Sequence, residues 1–335
     1  MNFQQLKYVR AAVRNDLNLT EVANTLYTSQ SGVSKQIREL ETELGIDIFV
    51  RRGKRLVGLT KAGEGAVRII ERVLAETENL KRYSRQFTGQ DRGRLVIATT
   101  HNQARYVLPK VLARFARQYP DVELEIRQGT PQDAVQAVTR GVADLALATE
   151  ALDQFAELQT FACFSWRHVA VVPYGHPLTD IAAPTFADLA AHPVITYNPE
   201  FSGRAQIDEA FACQGLTPDI RLTAMDADVI KTYVEMGMGV GIISEMAVGA
   251  SAHPLLEVLS GDHLVFAPCT TKIAFLRGAV LPNYAHRLVE MFAPHLNLSK
   301  SGDLNKAGGQ APANLPAFTE RADLQILAPL AIAAE

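Results

Sequence analysis

Residues 19–45 constrain the fold of this chain more than any other stretch, because two helical patterns follow each other with only a turn between them. Val22, Ala23 and Leu26 mark the inward side of the first, and Thr20 stands where its N-cap is expected. Tyr27-Thr28 makes the turn. Ser29 then caps a longer helix whose apolar residues Val33, Ile37, Leu40 and Leu44 recur at helical spacing, and Gly45 ends it. Ala23 is small where the two helices must cross closely. With Val33, Ile37 and Leu40 turned inward, Gln30, Ser31, Ser34, Lys35 and Arg38 share the opposite face. Amide, hydroxyl and cationic groups on one helix face are the types that bond base edges and phosphates in the major groove of duplex DNA. Ahead of the pair, Phe3, Leu6, Val9 and Val13 predict a supporting helix.

The next segment extends this surface. Ile48-Phe49-Val50 and Leu56-Val57 predict two short strands around Arg51-Arg52-Gly53-Lys54-Arg55, a hairpin with a basic tip. The cations Arg51, Arg52, Lys54 and Arg55 would reach the flanking phosphate backbone or the minor groove. Thr60 is expected to cap a long helix over residues 61–87 with Ala66, Ile69, Ile70, Val73 and Leu80 on one side. No partner for that stripe is evident in the first domain, so pairing with a twin helix is expected. Charge follows the same division. Residues 1–92 carry 16 Lys and Arg against 11 Asp and Glu, a balance of +5, while the remainder carries 17 against 25, a balance of −8. A basic end on an acidic body suits a chain of which only one end meets a polyanion.

Gln90-Asp91-Arg92-Gly93 marks a hinge, after which strands and helices alternate. The apolar run from Leu95, a helical stretch to Arg117, a strand over residues 122–126, a helix from Pro131 and a strand from Ala143 give βαβαβ, hence a parallel sheet with ligands at the strand C-termini. A second such block begins near Val169, and residues 272–292 are expected to return to the first. The fold class is therefore α/β: a winged helix-turn-helix (residues 1–60), a linker helix and hinge (61–92), and a two-lobed domain (93–298) resembling periplasmic binding proteins. Lobe I is assigned to 93–162 and 268–298, lobe II to 163–267. Residues 299–335, rich in Ala, Pro, Gly and Asn, are expected to be largely disordered, with the apolar stretch from Leu324 to Ile332 docking as a short helix.

Chemistry in the two-lobed part is expected where strands end. Thr99-Thr100-His101-Asn102-Gln103 sits at a strand-to-helix junction, Thr149 ends a strand of the same sheet, and Ser202 is placed to cap a helix of the other lobe. Such a cleft would hold a small oxyanion mainly through neutral donors. Gly237-Met238-Gly239-Val240-Gly241 lies between a helix and a strand, the reverse of the order a dinucleotide fingerprint needs, and reads as a tight turn. No stretch approaches the roughly 18 apolar residues of a membrane helix, and the N-terminus lacks the apolar core of an export signal. Cys163, Cys213 and Cys269 are far apart, without metal spacing, and read as buried thiols in a reducing compartment, so a cytoplasmic location is expected. No nucleophile triad, metal cluster or phosphate loop points to an enzyme, and no cofactor is expected. A solute-binding protein of the same two-lobed build is the alternative that the basic N-terminal wing argues against.

The run "S-Q-x-x-x-S-x-Q-I-x-x-L-E" from Ser29 to Glu41, with Ile48-Phe49-Val50-Arg51 and Leu59-Thr60-Lys61-Ala62-Gly63, resembles the LysR-type DNA-binding domain. Ser31 stands where many members carry proline, a change that the first helical turn tolerates. Residues Thr99 to Tyr106, Ala148 to Ala151, Phe201 to Arg204, Ala227 to Tyr233 and Phe292 to Leu296 are similar to the CysB/Cbl branch, which regulates sulfur assimilation. The resemblance implies a homotetramer on double-stranded promoter DNA, contact with RNA polymerase, and a sulfur anion or acetylserine-type effector in the cleft. It assigns Thr100, Asn102, Gln103, Thr149 and Ser202 to that effector, with Trp166 lining the cavity. Positions 102 and 202 are threonine in the branch's reference members, so ligand preference is open to change here. A regulator of another pathway, with a different small anion, is the second reading within the family.

Overall fold

The computed structural model describes residues 1–53, 55–87, 92–248, 255–259, 261, 263–296 and 315–325. It divides into two compact units, Met1–Thr88 and Gly89–Glu335. In the first unit, α1 (Phe3–Arg14), α2 (Leu19–Thr25) and α3 (Gln30–Leu44) are followed by β1 (Phe49–Arg52), β2 (Arg55–Leu59) and α4 (Lys61–Phe87). Leu6, Val9, Val22, Ala23, Val33, Ile37, Leu40 and Ile48 form one buried cluster between them, which is the side the helical spacing assigned inward. Asn18, not Thr20, caps α2: its carbonyl oxygen accepts from the backbone N–H groups of Thr20 and Glu21. Asn and Thr are both good caps, and the one that precedes the first helical residue wins. Tyr27 takes the turn with a φ of +50°. Ser29 caps α3 by accepting from Gly32 N–H at 3.1 Å.

Two contacts join the wing to α4. The Thr60 backbone N–H donates to Ile48 O at 3.0 Å, and the Thr60 hydroxyl accepts from Gly63 N–H at 2.8 Å. A Cβ on Gly63 would stand 1.9 Å from Ile48 O, so only glycine lets α4 cross the first wing strand this closely. The long helix also differs from expectation. Ile70 and Leu74 are buried in the helix-turn-helix core, with Ala66 packed against it, whereas Ile69, Val73 and Leu80 are exposed. The apolar residues thus form two faces rather than one stripe, because the first half of α4 does have a globular partner.

The second unit runs β3 (Gly93–Thr99), α5 (His101–Tyr106), α6 (Leu108–Gln118), β4 (Val122–Gln128), α7 (Pro131–Thr139), β5 (Leu145–Ala148), β6 (Leu158–Trp166), β7 (His168–Pro173), α8 (Phe186–Ala190), β8 (Val194–Tyr197), α9 (Ser202–Ala212), β9 (Ile220–Ala224), α10 (Ala227–Glu235), β10 (Val240–Ser244), β11 (Leu256–Leu259), β12 (Cys269–Leu276) and α11 (Asn283–Phe292). Its first sheet has the order β4-β3-β5-β12-β6 and its second the order β11-β7-β10-β8-β9. The βαβαβ prediction holds: β3 pairs in parallel with both β4 and β5. The returning strand β12 joins antiparallel between β5 and β6. Strand β6 lies wholly in the first sheet, which moves the lobe boundary from residue 163 to Arg167, the single residue between β6 and β7. Each lobe has a separate core.

The tail is corrected in part. Residues 315–325 pack on the first lobe: Ser165 N–H donates to Pro316 O at 2.9 Å, Phe318 lies 5.5 Å from the Phe164 ring, and Leu324 is fully buried. Arg321, also buried, donates to Phe292 O (2.9 Å), Met291 O (3.1 Å) and Cys163 O (3.3 Å), which satisfies the last carbonyls of α11. A composition count misses eleven residues with two apolar anchors and one arginine. The rest of the 299–335 segment, most of the predicted terminal helix included, lies outside the described residues.

Candidate functional site

The first surface is α3 and the wing. Gln30, Ser31, Lys35 and Arg38 are exposed and Ser34 is half-buried. All five line one shallow depression together with Glu39, Thr42 and Glu43. Lys35 has Glu39 at 3.8 Å, one helical turn on. Arg52 and Arg55 are exposed at the hairpin, and Lys54 lies outside the described residues. Arg51 departs from its expected role. Its guanidinium bonds Glu41 at 2.7 Å. Glu41, only 5% exposed, also accepts from Ile48 N–H at 2.8 Å and Phe49 N–H at 3.0 Å. Arg51 is therefore tied down as part of a buried bridge between α3 and the wing, and is not presented as an open cation. Glu41 was not singled out from sequence, although an acidic residue on the inward half of an otherwise apolar helix face was the available signal.

The second site lies between the two lobes of the second unit. It is a partly open cavity of about 30 Å³ whose lining includes Thr100, Asn102, Gln103, Thr149 and Trp166. Five of the six expected effector residues therefore meet in one place. The sixth, Ser202, is the first residue of α9 and not its cap, which is Phe201; the Ser202 side chain lies outside the described residues. Its neighbour Gly203 does line the cavity. Thr100 precedes α5 and makes no capping bond to it, leaving its hydroxyl available to the cavity.

The residues are not equivalent. Gln103 and Trp166 both donate to the Thr271 hydroxyl, at 2.8 and 3.1 Å, and the carbonyl end of the Gln103 amide is buried without a partner. The buried Thr149 hydroxyl likewise has none. Asn102, by contrast, is committed on both ends: it donates to the Tyr197 hydroxyl at 2.8 Å and accepts from Ala227 N–H at 3.3 Å. It ties α5 to β8 and α10, with one N–H and one lone pair engaged. Trp166, half wall and half core, stacks edge-on against His168 at 5.0 Å. Among the described residues, no charged side chain lines the space.

Just outside, α5 and α10 form a polar seam. The Tyr106 hydroxyl donates to Asp228 at 2.6 Å, Lys231 lies 3.0 Å from that carboxylate, and Arg105 and His101 stand at 3.6 and 3.5 Å. Burial pushes the Asp228 carboxyl up, but the Tyr106 and Lys231 hydrogen bonds outweigh it and leave it below the ordinary value. Burial and the bond to Asp228 drive the Tyr106 phenol well above its ordinary range, so it stays a donor. His101, Asp226 and Asp228 are close enough to share a metal ion, yet Asp228 is already neutralised by two cations.

Sequence inspection overlooked Tyr197, Phe201, Met225, Met246 and His168 in the cavity wall. Of the cysteines, Cys163 and Cys269 are buried as expected, but Cys213 is exposed. Burial holds the Cys163 thiol up at about 12, which makes it inert. Among the described residues no helix is long and apolar enough to cross a membrane.

Comparison with known proteins bears on both sites. Residues 3–64 match the bacterial regulatory helix-turn-helix domain of the lysR family, and residues 88–297 match the LysR substrate binding domain. The transcriptional regulator SsuR of Burkholderia cenocepacia is 56% identical over 297 residues, covering 89% of this chain and 96% of that protein. CysB of the same organism is 49% identical over 297 residues, covering 89% and 95%. The solved cofactor-binding domain of the Cbl regulator superposes with a TM-score of 0.60 at 41% identity, covering 63% of this chain and 92% of that one. These relatives are named as regulators, and SsuR and CysB each match over 89% of this chain. With both domains matched in order and across most of its length, the chain belongs to the LysR family of DNA-binding transcriptional regulators.

Proposed function

We propose that this regulator controls genes for sulfate and organosulfur assimilation, and that a small sulfur-related anion or acetylserine-type molecule in the inter-lobe cavity is its effector. The observation that carries the reading is the inter-lobe cavity, uncharged among its described lining residues, where Thr100, Gln103 and Thr149 converge with polar groups unspent by the fold. The Thr100 and Thr149 hydroxyls are neutral donors suited to a small oxyanion, whereas the unpaired Gln103 carbonyl can only accept, from an N–H or O–H of the ligand. Likeness to SsuR, CysB and Cbl supplies the sulfur context. Gln30, Ser31, Ser34, Lys35 and Arg38 would read a promoter half-site, with Arg52, Lys54 and Arg55 on the flanking backbone. Exposed Ile69, Val73 and Leu80 on α4 suit pairing with a second copy, and a cytoplasmic homotetramer that contacts RNA polymerase completes the reading.

The test is calorimetry of sulfate with the full chain, alongside genome-wide mapping of binding sites with and without sulfate. Thr100→Val removes one neutral donor and is expected to weaken binding by about 1–3 kcal/mol. Wild-type affinity in that variant removes Thr100 from the site, and occupancy of sites away from sulfur genes overturns the regulatory reading.

A further inference from the structure

The sheets of the two lobes repeat one order, β4-β3-β5-β12-β6 against β9-β8-β10-β7-β11 read from the opposite edge. Strand β3 lies between two parallel neighbours in the first, and β8 does so in the second. Tyr197 ends β8 where Thr99 ends β3. It therefore stands at the C-terminal strand edge of the second lobe, where open α/β sheets hold their ligands, and it lines the inter-lobe cavity.

The bonds around the Tyr197 hydroxyl leave it one role. The Ser244 backbone N–H donates to Oη at 3.0 Å, and a backbone N–H cannot accept in return. The Asn102 side chain donates to the same oxygen at 2.8 Å. Its orientation is fixed as well, because its carbonyl end accepts from the Ala227 backbone N–H at 3.3 Å. Both lone pairs of the phenol oxygen are thus taken by groups that can only donate to it, and its own O–H is what remains. Among the described residues nothing accepts that O–H. Tyr197 is 3% exposed, and burial drives its phenol above the ordinary range, so the proton stays in place. A buried donor without an acceptor is costly, and a ligand oxygen supplies the missing partner. From the first lobe, Thr149 brings an unpartnered hydroxyl to the same cavity, and Thr100 one that makes no capping bond.

We infer that Tyr197 contacts the effector from the second lobe, donating its O–H to an oxygen of the anion that Thr100 and Thr149 bind from the first. The inference rests on the cavity being the effector site and deepens it. One anion then bridges donors of both lobes, and this contact takes an oxyanion oxygen but not an N–H or O–H group.

Calorimetry of sulfate with the full chain is the test. Tyr197→Phe is expected to lower sulfate affinity about tenfold or more, since the bond lost is one to a charged group. That variant also releases Asn102, and loosened lobes would by themselves weaken binding. Tyr197→3-fluorotyrosine separates the two effects, because fluorine makes the phenol a stronger donor and a weaker acceptor. A contact predicts sulfate binding a few-fold tighter than in the wild type. A phenol that serves only to receive Asn102 and Ser244 predicts equal or weaker binding, and that outcome overturns the proposal. It is overturned as well if the Tyr197→Phe loss vanishes in an Asn102→Ala background, or if Tyr197→Phe binds as the wild type does while Thr100→Val is weakened. Both results leave the cavity as the effector site. Absence of sulfate binding by the wild type fails the cavity reading itself, and the Tyr197 contact falls with it.

Discussion

Lys35 has three-quarters of its side chain in solvent and only Glu39, at 3.8 Å, as a partner. A surface pair of this kind contributes well under 1 kcal/mol, so the charge is available to a ligand. Replacing Lys35 and Arg38 together by Ala is expected to leave the fold intact and to lower specific promoter affinity on the order of 100-fold or more, at ~1–3 kcal/mol for each contact. Gel shifts that match the wild type would reject this face as the reader. His168 makes a second residue-scale expectation. Its folded pKa is depressed to about 3 from an ordinary 6.5, so between those values the unfolded chain binds the extra proton. Stability from this group is complete above about pH 6.5 and is lost as pH falls, by about 2 kcal/mol between pH 7 and 5. His176 and His295 are lowered as well and act in the same direction. Denaturant titrations at the two pH values should therefore show a smaller loss for His168→Phe than for the wild type. Equal losses would mean that solvent reaches the ring.

At the scale of elements, the recognition helix and the wing are joined by Glu41 rather than by apolar contact alone. Its carboxylate takes two backbone N–H groups and the Arg51 guanidinium. Glu41→Ala is expected to cost about 3 kcal/mol, since it strands two buried donors and a partly buried cation. Hydrogen exchange at the Ile48 and Phe49 amides is the measurement, and unchanged protection would show the bridge to be dispensable. Helical spacing made α1 to α4 legible because one apolar face repeats every three to four residues. It did not tell Ile69 from Ile70, which sit on opposite sides of the core boundary. Nor did composition anticipate that residues 315–325 would dock, since a strap held by Phe318, Arg321 and Leu324 has no periodicity to read.

Across the whole effector unit, the two lobes are held together by side chains from α5 meeting α10 and β8. The Tyr106–Asp228 bond, the Asn102–Tyr197 bond and the cations around Asp228 all close one edge of the cavity. Tyr106→Phe removes two such bonds, the donation to Asp228 and the one accepted from Lys231, worth about 1 kcal/mol each, or roughly a thirtyfold shift towards open forms. Inter-lobe distances from paired spin labels are expected to broaden, with a few-fold loss of anion affinity. An unaltered distribution would assign closure to the apolar contacts instead. The pairing across this seam was not legible beforehand, because Asn102 and Tyr197, and Tyr106 and Asp228, lie more than 90 residues apart in sequence.

The order of elements, the outward face of α3, the parallel βαβαβ block and four of the cavity residues follow from the sequence, because each depends on local periodicity or on a strand end, whereas Trp166 came only from the family resemblance. The state of each polar group depends on the tertiary structure. Arg51 is bound and Arg52 open, Asn102 is engaged at both ends and Gln103 half free, and His168 is neutral in an aromatic enclosure. Hydrogen bonding and desolvation depend on what lies within a few ångströms in space, and chain separation carries no record of that.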